Sequence, residues 1–303
     1  MSGFDPFRIL AFAAILAGMI APASARAETF YPMDAPVGAT PDLSFPSEPT
    51  PFKKEKETLL FKPEGAGPFP AVVLMPTCGG HNYSLHVFDW AEKALKRGYA
   101  VLVVDPLRPR GVDQHNCLPP LKVLPARILK DAFDAANHLR GQPFVNKERI
   151  ALMGFSQGAM IGLGAAGPES FGGNGRRSFQ AIISFYPACA FPNIRRGDRM
   201  IDIRYLAREV KTPLLVLMGA DDTETEPVNC VPLLTEQKAQ GAPVEWEVYK
   251  NATHVFDDVQ WSSREFRKKD FRGVDVVYRY NAEVTKAAEE RAFAFIERHM
   301  KGR

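Results

Sequence analysis

The chain lacks an excess of either charge sign, with 38 Lys and Arg against 35 Asp and Glu and a formal charge of +3 over 303 residues. So slight a balance gives no reason to expect a nucleic-acid partner, where basic residues gather on one face or along a helix. The basic run Arg267 to Arg272 is read as a solvated face. Long apolar runs are also missing: the longest, Ile9 to Ile20, falls short of the roughly 20 residues that a helix needs to span a bilayer. The four cysteines, Cys78, Cys117, Cys189 and Cys230, include no C-x-x-C pair, so a zinc site is not expected. No internal repeat and no linker divides the sequence, and 46% apolar with 24% charged residues argues against disorder.

The short apolar run is preceded by Arg8 and followed by the small residues Ala21 to Ala27, the composition of a secretory signal peptide. Both Ala23-Ser24-Ala25 and Ala25-Arg26-Ala27 fit the cleavage pattern, and cleavage after Ala27 is preferred. The mature protein is then expected in the periplasm or the medium, with no stable membrane span. Four cysteines in an oxidising compartment suggest two disulfides, and number alone leaves three pairings open. Cys78 and Cys117 sit on loops after adjacent strand regions and Cys189 and Cys230 after later ones, so the pairs expected are Cys78 with Cys117 and Cys189 with Cys230.

Residues 28–56 are rich in proline between Tyr31 and Pro51 and read as a surface arm without regular structure. Residues 57–303 alternate apolar β-rich runs with helical patterns, which predicts one domain built on a mostly parallel sheet with helices on both faces. The expected strands are Thr58 to Lys62, Ala71 to Met75, Ala100 to Asp105, Ile150 to Met153, Ala181 to Phe185, Pro213 to Met218 and Val244 to Tyr249. Helices are expected at Leu85 to Lys96, Ala126 to Leu139, Gln157 to Ala165, Val231 to Gln240 and Ala282 to Met300, the last with an apolar stripe at three- and four-residue steps.

Between an expected strand and an expected helix stands Gly154-Phe155-Ser156-Gln157-Gly158. G-x-S-x-G in that setting is a nucleophile elbow: a serine on a strained turn needs neighbours without Cβ atoms two residues away on either side. A serine hydroxyl is a weak nucleophile until a histidine takes its proton and an acid orients that histidine. In the α/β-hydrolase fold both follow the serine, acid first. Here Gly219-Ala220-Asp221-Asp222 follows one later strand and Asn251-Ala252-Thr253-His254 the next, outside the carboxyl ends where open α/β sheets build their sites. Position alone leaves Asp221 and Asp222 equal. His81, His86 and His115 precede Ser156, while His138 and His299 fall on helical patterns, so these are read as structural or surface residues. The backbone N–H groups of Gln157 and of Cys78 or its neighbour are the expected oxyanion donors, the second from the loop Pro76 to His81.

With these residues placed, the sequence from Thr58 onward resembles the dienelactone hydrolase family of the α/β-hydrolase superfamily. The resemblance is carried by Pro70 to Leu74 leading to Cys78-Gly79-Gly80, by Asp105 to Gly111 with Cys117 beyond, and by the elbow. Tyr186 to Cys189, Gly219 to Asp222, His254 with Phe256, and Tyr280 to Phe295 extend it. It implies an α/β-hydrolase fold, hydrolysis of a small-molecule ester or lactone without metal or organic cofactor, and, through the G-x-x-D pattern, Asp222 as the acid. Two features depart from the family pattern: dienelactone hydrolases proper use a cysteine where this elbow has Ser156, and Pro76-Thr77 replaces the usual His-Gly. A peptidase like prolyl oligopeptidase, an acyltransferase on the same fold, and a non-catalytic binding protein that keeps the fold are the competing readings.

Overall fold

The computed structural model describes residues 28–55, 57–117, 120–168, 178–270 and 272–300. The expected signal peptide lies outside the described residues. Among the described residues there are twelve strands: β1 (Glu28–Phe30), β2 (Leu59–Phe61), β3 (Phe69–Met75), β4 (Ala100–Val103), β5 (Val145–Phe155), β6 (Ala181–Phe185), β7 (Ala190–Arg196), β8 (Arg199–Arg204), β9 (Leu214–Gly219), β10 (Val244–Tyr249), β11 (Phe266–Lys269) and β12 (Asp275–Tyr278). The α-helices are α1 (Val87–Lys96), α2 (Pro125–Gly141), α3 (Gln157–Ala165), α4 (Val231–Ala239) and α5 (Ala282–Met300).

Seven strands form the central sheet in the order β10-β9-β6-β5-β3-β4-β2, all parallel except β2, which runs antiparallel to β4. Its continuous apolar runs follow from burial on both faces. Successive side chains of a strand point to opposite faces, so Ala71, Val73 and Met75 of β3 pack with Leu129, Ala132 and Leu139 of α2 and Ile161 and Leu163 of α3. Val72 and Leu74 turn the other way, onto Phe88 and Trp90 of α1 and Phe293 and Phe295 of α5. Each expected strand and helix of the central layers is present, with shifts at some ends.

Several elements lie outside that expectation. The arm does carry regular structure: Glu28–Phe30 pairs in parallel with β8, which forms an antiparallel hairpin with β7. Its next turn is a 3-10 helix at Pro32–Asp34. The arm is then held to the domain by its backbone, with Arg110 donating to the Pro41 carbonyl and His138 Nε2 2.9 Å from the Pro46 carbonyl. Finally, β11 and β12 form a separate antiparallel hairpin after the histidine loop.

Both expected disulfides are present, Cys78–Cys117 and Cys189–Cys230. Two such bridges fit an extracellular or periplasmic protein. No helix among the described residues is long and apolar enough to cross a membrane.

Candidate active site

β5 ends at Phe155 and α3 begins at Gln157, leaving Ser156 alone to make the turn with φ 50° and ψ −110°. That conformation is sparsely populated for a residue with a Cβ and persists only where its surroundings impose it. The two flanking glycines are part of that constraint. A Cβ on Gly154 would lie 2.1 Å from the Gly158 carbonyl oxygen, and one on Gly158 would lie 2.3 Å from that of Met75. The elbow is thus wedged between its own helix and the end of β3, with Ser156 N–H donating to the Phe185 carbonyl at 3.0 Å.

The acid and the histidine arrive on neighbouring strands, β9 and β10. Their loops touch at Gly219, where a Cβ would lie 2.3 Å from the Ala252 carbonyl oxygen, and Asp221 N–H donates to that same oxygen at 2.9 Å. Asp221 turns its side chain to solvent while Asp222 is buried. Asp222 Oδ2 lies 2.8 Å from His254 Nδ1, and His254 Nε2 lies 3.0 Å from Ser156 Oγ. Asp222 Oδ1 accepts from the backbone N–H groups of Glu224 and Thr225, each at 2.9 Å, and the Thr225 hydroxyl lies 2.8 Å from Oδ2. The structure therefore brings Ser156, His254 and Asp222 into one hydrogen-bonded chain.

Burial pulls the His254 pKa down, but the charges of Asp222 and Glu224 outweigh it and hold the ring above its ordinary value. Burial raises the Asp222 carboxyl, and here the His254 charge and hydrogen bond with those from Thr225 prevail, holding it below the ordinary value. Each partner thus favours the ionised form of the other.

The loop after β3 approaches the elbow through Gly158 N–H, which donates to the Pro76 carbonyl at 3.0 Å. Within this loop Gly79 N–H is directed at the Thr77 hydroxyl at 3.3 Å and Gly80 N–H at the Thr77 carbonyl at 3.0 Å. Neither Thr77 nor Cys78 gives its N–H to a protein acceptor among the described residues. The N–H of Gln157, first in α3, has no helical residue four positions back to accept it. The Cys78–Cys117 bridge ties this loop to the next: Asn116 N–H donates to the Cys78 carbonyl at 2.6 Å, and Gln157 Nε2 to the Asn116 carbonyl at 3.3 Å.

Several residues around the triad were not anticipated. Tyr278 of β12 bridges to His254, and its hydroxyl donates to Glu224 Oε2 at 2.7 Å; Lys268 of β11 donates to Glu224 Oε1 at 3.0 Å. The basic run is therefore only partly a solvated face. Arg267 and Lys269 are exposed, but Lys268 turns toward Glu224, and Arg272 donates to the carbonyls of Thr223 and Glu224. Behind the histidine, the Tyr186 ring stands edge-on to His254 at 4.9 Å, and its hydroxyl donates to Asp257, which also accepts from Trp90. His86 is buried beside this group, 3.3 Å from the Tyr186 hydroxyl, and His81 is buried too, 3.8 Å from Asp105 Oδ2. Among the described residues no group of three or more His, Cys, Asp or Glu side chains is placed to hold a metal ion.

A serine elbow between a parallel strand and its helix, with acid and histidine delivered in that order from later strands, defines an α/β-hydrolase. The model of the dienelactone hydrolase family matches residues 57–300. The chain belongs to that family of hydrolases. Solved structures with the same fold include an esterase from Thermogutta terrifontis, at a TM-score of 0.56 and 18% identity over 80% of this chain and 86% of that one. A dienelactone hydrolase-like promiscuous phosphotriesterase from metagenomic libraries gives 0.55 and 20%, over 78% and 89%. Among curated proteins, the acylamino-acid-releasing enzyme of Sus scrofa is 26% identical over 69% of this chain, which spans only 32% of that protein. A thiohydrolase of Arthrinium phaeospermum is 37% identical over 101 residues, 32% of this chain and 31% of the relative.

Proposed function

We propose that the protein is an exported carboxylic ester hydrolase that works through an acyl-enzyme on Ser156. The observation that carries this reading is the hydrogen-bonded chain Asp222–His254–Ser156, ending on a serine lifted by the elbow. His254 Nε2 accepts the Ser156 proton as Oγ attacks the ester carbonyl, and Asp222 holds Nδ1–H and the imidazolium that forms. The N–H of Gln157, with that of Cys78 or Thr77, faces the developing oxyanion. The proton then passes from Nε2 to the departing alcohol oxygen, and water reverses the sequence to free the acid. None of these steps asks for a metal or organic cofactor.

Residues 57–303 form the hydrolase domain on this reading, preceded by the arm at 28–56 and a signal peptide cleaved after Ala27. The likeness to an acylamino-acid-releasing enzyme over 69% of the chain supports a second reading, hydrolysis of an amide-linked peptide end. Matched p-nitrophenyl esters and p-nitroanilides separate the two.

The test is Ser156→Ala. It deletes only the nucleophilic oxygen on a turn that Gly154 and Gly158 already shape, so the variant is expected to keep its Tm and lose p-nitrophenyl acetate turnover by several orders of magnitude. Labelling by a fluorophosphonate should disappear with it. Near wild-type turnover by Ser156→Ala would refute the assignment.

A further inference from the structure

The site holds a second carboxylate, on the side of the histidine that faces the serine. Glu224 Oε2 lies 3.9 Å from His254 Nε2, the nitrogen that is 3.0 Å from Ser156 Oγ. Its carboxylate is held by two donors that also touch each other. Lys268 donates to Oε1 at 3.0 Å, the Tyr278 hydroxyl donates to Oε2 at 2.7 Å, and Lys268 Nζ in turn sits 4.9 Å over the Tyr278 ring. The backbone is held as well, because Arg272 donates to the Glu224 carbonyl at 3.0 Å. The Glu224 side chain is 19% exposed, at the edge of the site rather than in the core.

We propose that Glu224 is a positioning residue for the reaction, stabilising the charged His254 ring from the Ser156 side, with Lys268 setting the strength of its effect. The proposal rests on the reading of Ser156 as nucleophile and His254 as base. At 3.9 Å the carboxylate is beyond hydrogen-bond reach of Nε2. It therefore acts through charge without competing with Ser156 Oγ for the proton. Positive charge appears on the ring as Ser156 attacks, and a fixed anion close to Nε2 lowers the energy of that state without reorganising.

The same charge favours a protonated ring in the resting enzyme, and a protonated ring cannot act as base. Glu224 therefore speeds the reaction where the ring is neutral and narrows the pH range in which it is neutral. The groups facing His254 from every side are Ser156, Asp222, Thr225, Glu224, Tyr186, Tyr278 and Lys268, with Asp257 and His86 behind Tyr186. Burial pushes both tyrosine hydroxyls up, further raised by the carboxylates beside them, so neither carries charge near neutral pH. The effects on the His254 ring are, in order, burial, which lowers its pKa, then Asp222 and Glu224, which raise it, with Lys268 opposing them.

The test is the pH profile of kcat/KM on a neutral p-nitrophenyl ester for the wild type, Glu224→Gln and Lys268→Met. Glu224→Gln is expected to move the acidic limb down by about one pH unit, the lower end of what an opposite charge at this distance produces. Its plateau rate should fall by at most about tenfold, the rate equivalent of one unit, in kcat more than in KM. Lys268→Met leaves Glu224 uncompensated and should move the limb up. An unmoved limb in Glu224→Gln, or a shift of the same sign in both variants, would make Glu224 a structural brace and overturn the proposal. If Glu224→Gln fails to fold, Glu224→Ala decides: a downward shift supports the role and no shift refutes it. Turnover by Ser156→Ala would instead sink the underlying reading, whatever the Glu224 variants do.

Discussion

Asp222→Asn tests the triad at its most constrained point. Asp222 Oδ1 is held by two backbone N–H groups, from Glu224 and Thr225, each at 2.9 Å. An asparagine at this position keeps those bonds only by placing its amide oxygen where Oδ1 was. The NH2 group then replaces Oδ2 and faces His254 Nδ1 across the 2.8 Å contact. Two donors cannot share that contact, so the ring must move its proton to Nε2, the nitrogen that has to receive the Ser156 proton. Flipping the amide instead would set NH2 against both backbone donors. In a serine protease the same Asp-to-Asn change, which leaves the wrong tautomer, costs about 10⁴ in kcat. The lost hydrogen bond to a charged partner accounts for about 1.5 to 3 kcal/mol of that, a factor of about 10 to 10², so the fall expected here lies between about 10² and 10⁴ in kcat. Asp221→Asn is the control: its side chain is exposed, and the bond it gives to Ala252 comes from the backbone and survives. Its rate should change by less than about tenfold, the cost of a surface change of up to about 0.5 kcal/mol being smaller still. Initial rates on p-nitrophenyl acetate, with thermal melts of both variants, make the comparison. Equal losses would mean that the loop is distorted rather than the tautomer changed, and a larger loss at Asp221 would refute the assignment.

The pH dependence follows from the raised His254 pKa: kcat/KM should climb with pH through an inflection above the ordinary 6.5. An inflection below that value would show that burial outweighs Asp222 and Glu224. By linkage, the stability contributed by protonated His254 is complete below the unfolded value and is lost as pH rises through the folded one, which Tm against pH should register. The two disulfides should behave differently. Each closes a loop of similar length, with separations of 39 and 41 residues, so replacing either pair by serine should cost about 2 to 4 kcal/mol. At this size that is on the order of 10 °C in Tm. Only Cys78→Ser with Cys117→Ser should also lower kcat in the protein that remains folded, because Cys78 lies in the loop that approaches the elbow. A kcat loss confined to the Cys189 and Cys230 variant would contradict that placement.

The parts of the site that sequence made legible are those where one local rule leaves few options. Gly154 and Gly158 stand where a Cβ would strike backbone 2.1 to 2.3 Å away, so the elbow shows itself as a pattern of absent side chains. The central strands were legible because burial on both faces leaves only apolar residues in them. Asp221 and Asp222 could not be separated from position alone, since two adjacent acids differ only in which way the loop turns them. Strand β1 was hidden because Glu28 to Phe30 pairs with residues more than 170 positions away, Glu28 opposite Ile201. Glu224 was hidden for the same reason: Tyr278 is 54 positions from it and Lys268 is 44, so nothing near Glu224 marks it as part of the site.

The hidden contacts of Glu224 share one element, the β11–β12 hairpin, which follows His254 and reaches back to the acid loop. Arg279 N–H donates to Thr253 Oγ1 and Tyr278 bridges to His254, which holds the histidine side. Thr223 Oγ1 donates to the Asp275 carbonyl and Arg272 to the carbonyls of Thr223 and Glu224, which holds the acid side. The hairpin therefore braces both loops that complete the triad, while the sheet beneath fixes only where those loops begin. On the proposed reading Ser156, Asp222 and His254 supply the chemical groups, and the parallel strands bring them to one edge. The charge beside Nε2 comes from Glu224 and Lys268, whose positions depend on the hairpin. Loops carry functional variation on a rigid scaffold, so a relative that keeps the triad and replaces this hairpin would keep the reaction type and lose the electrostatic setting of its base.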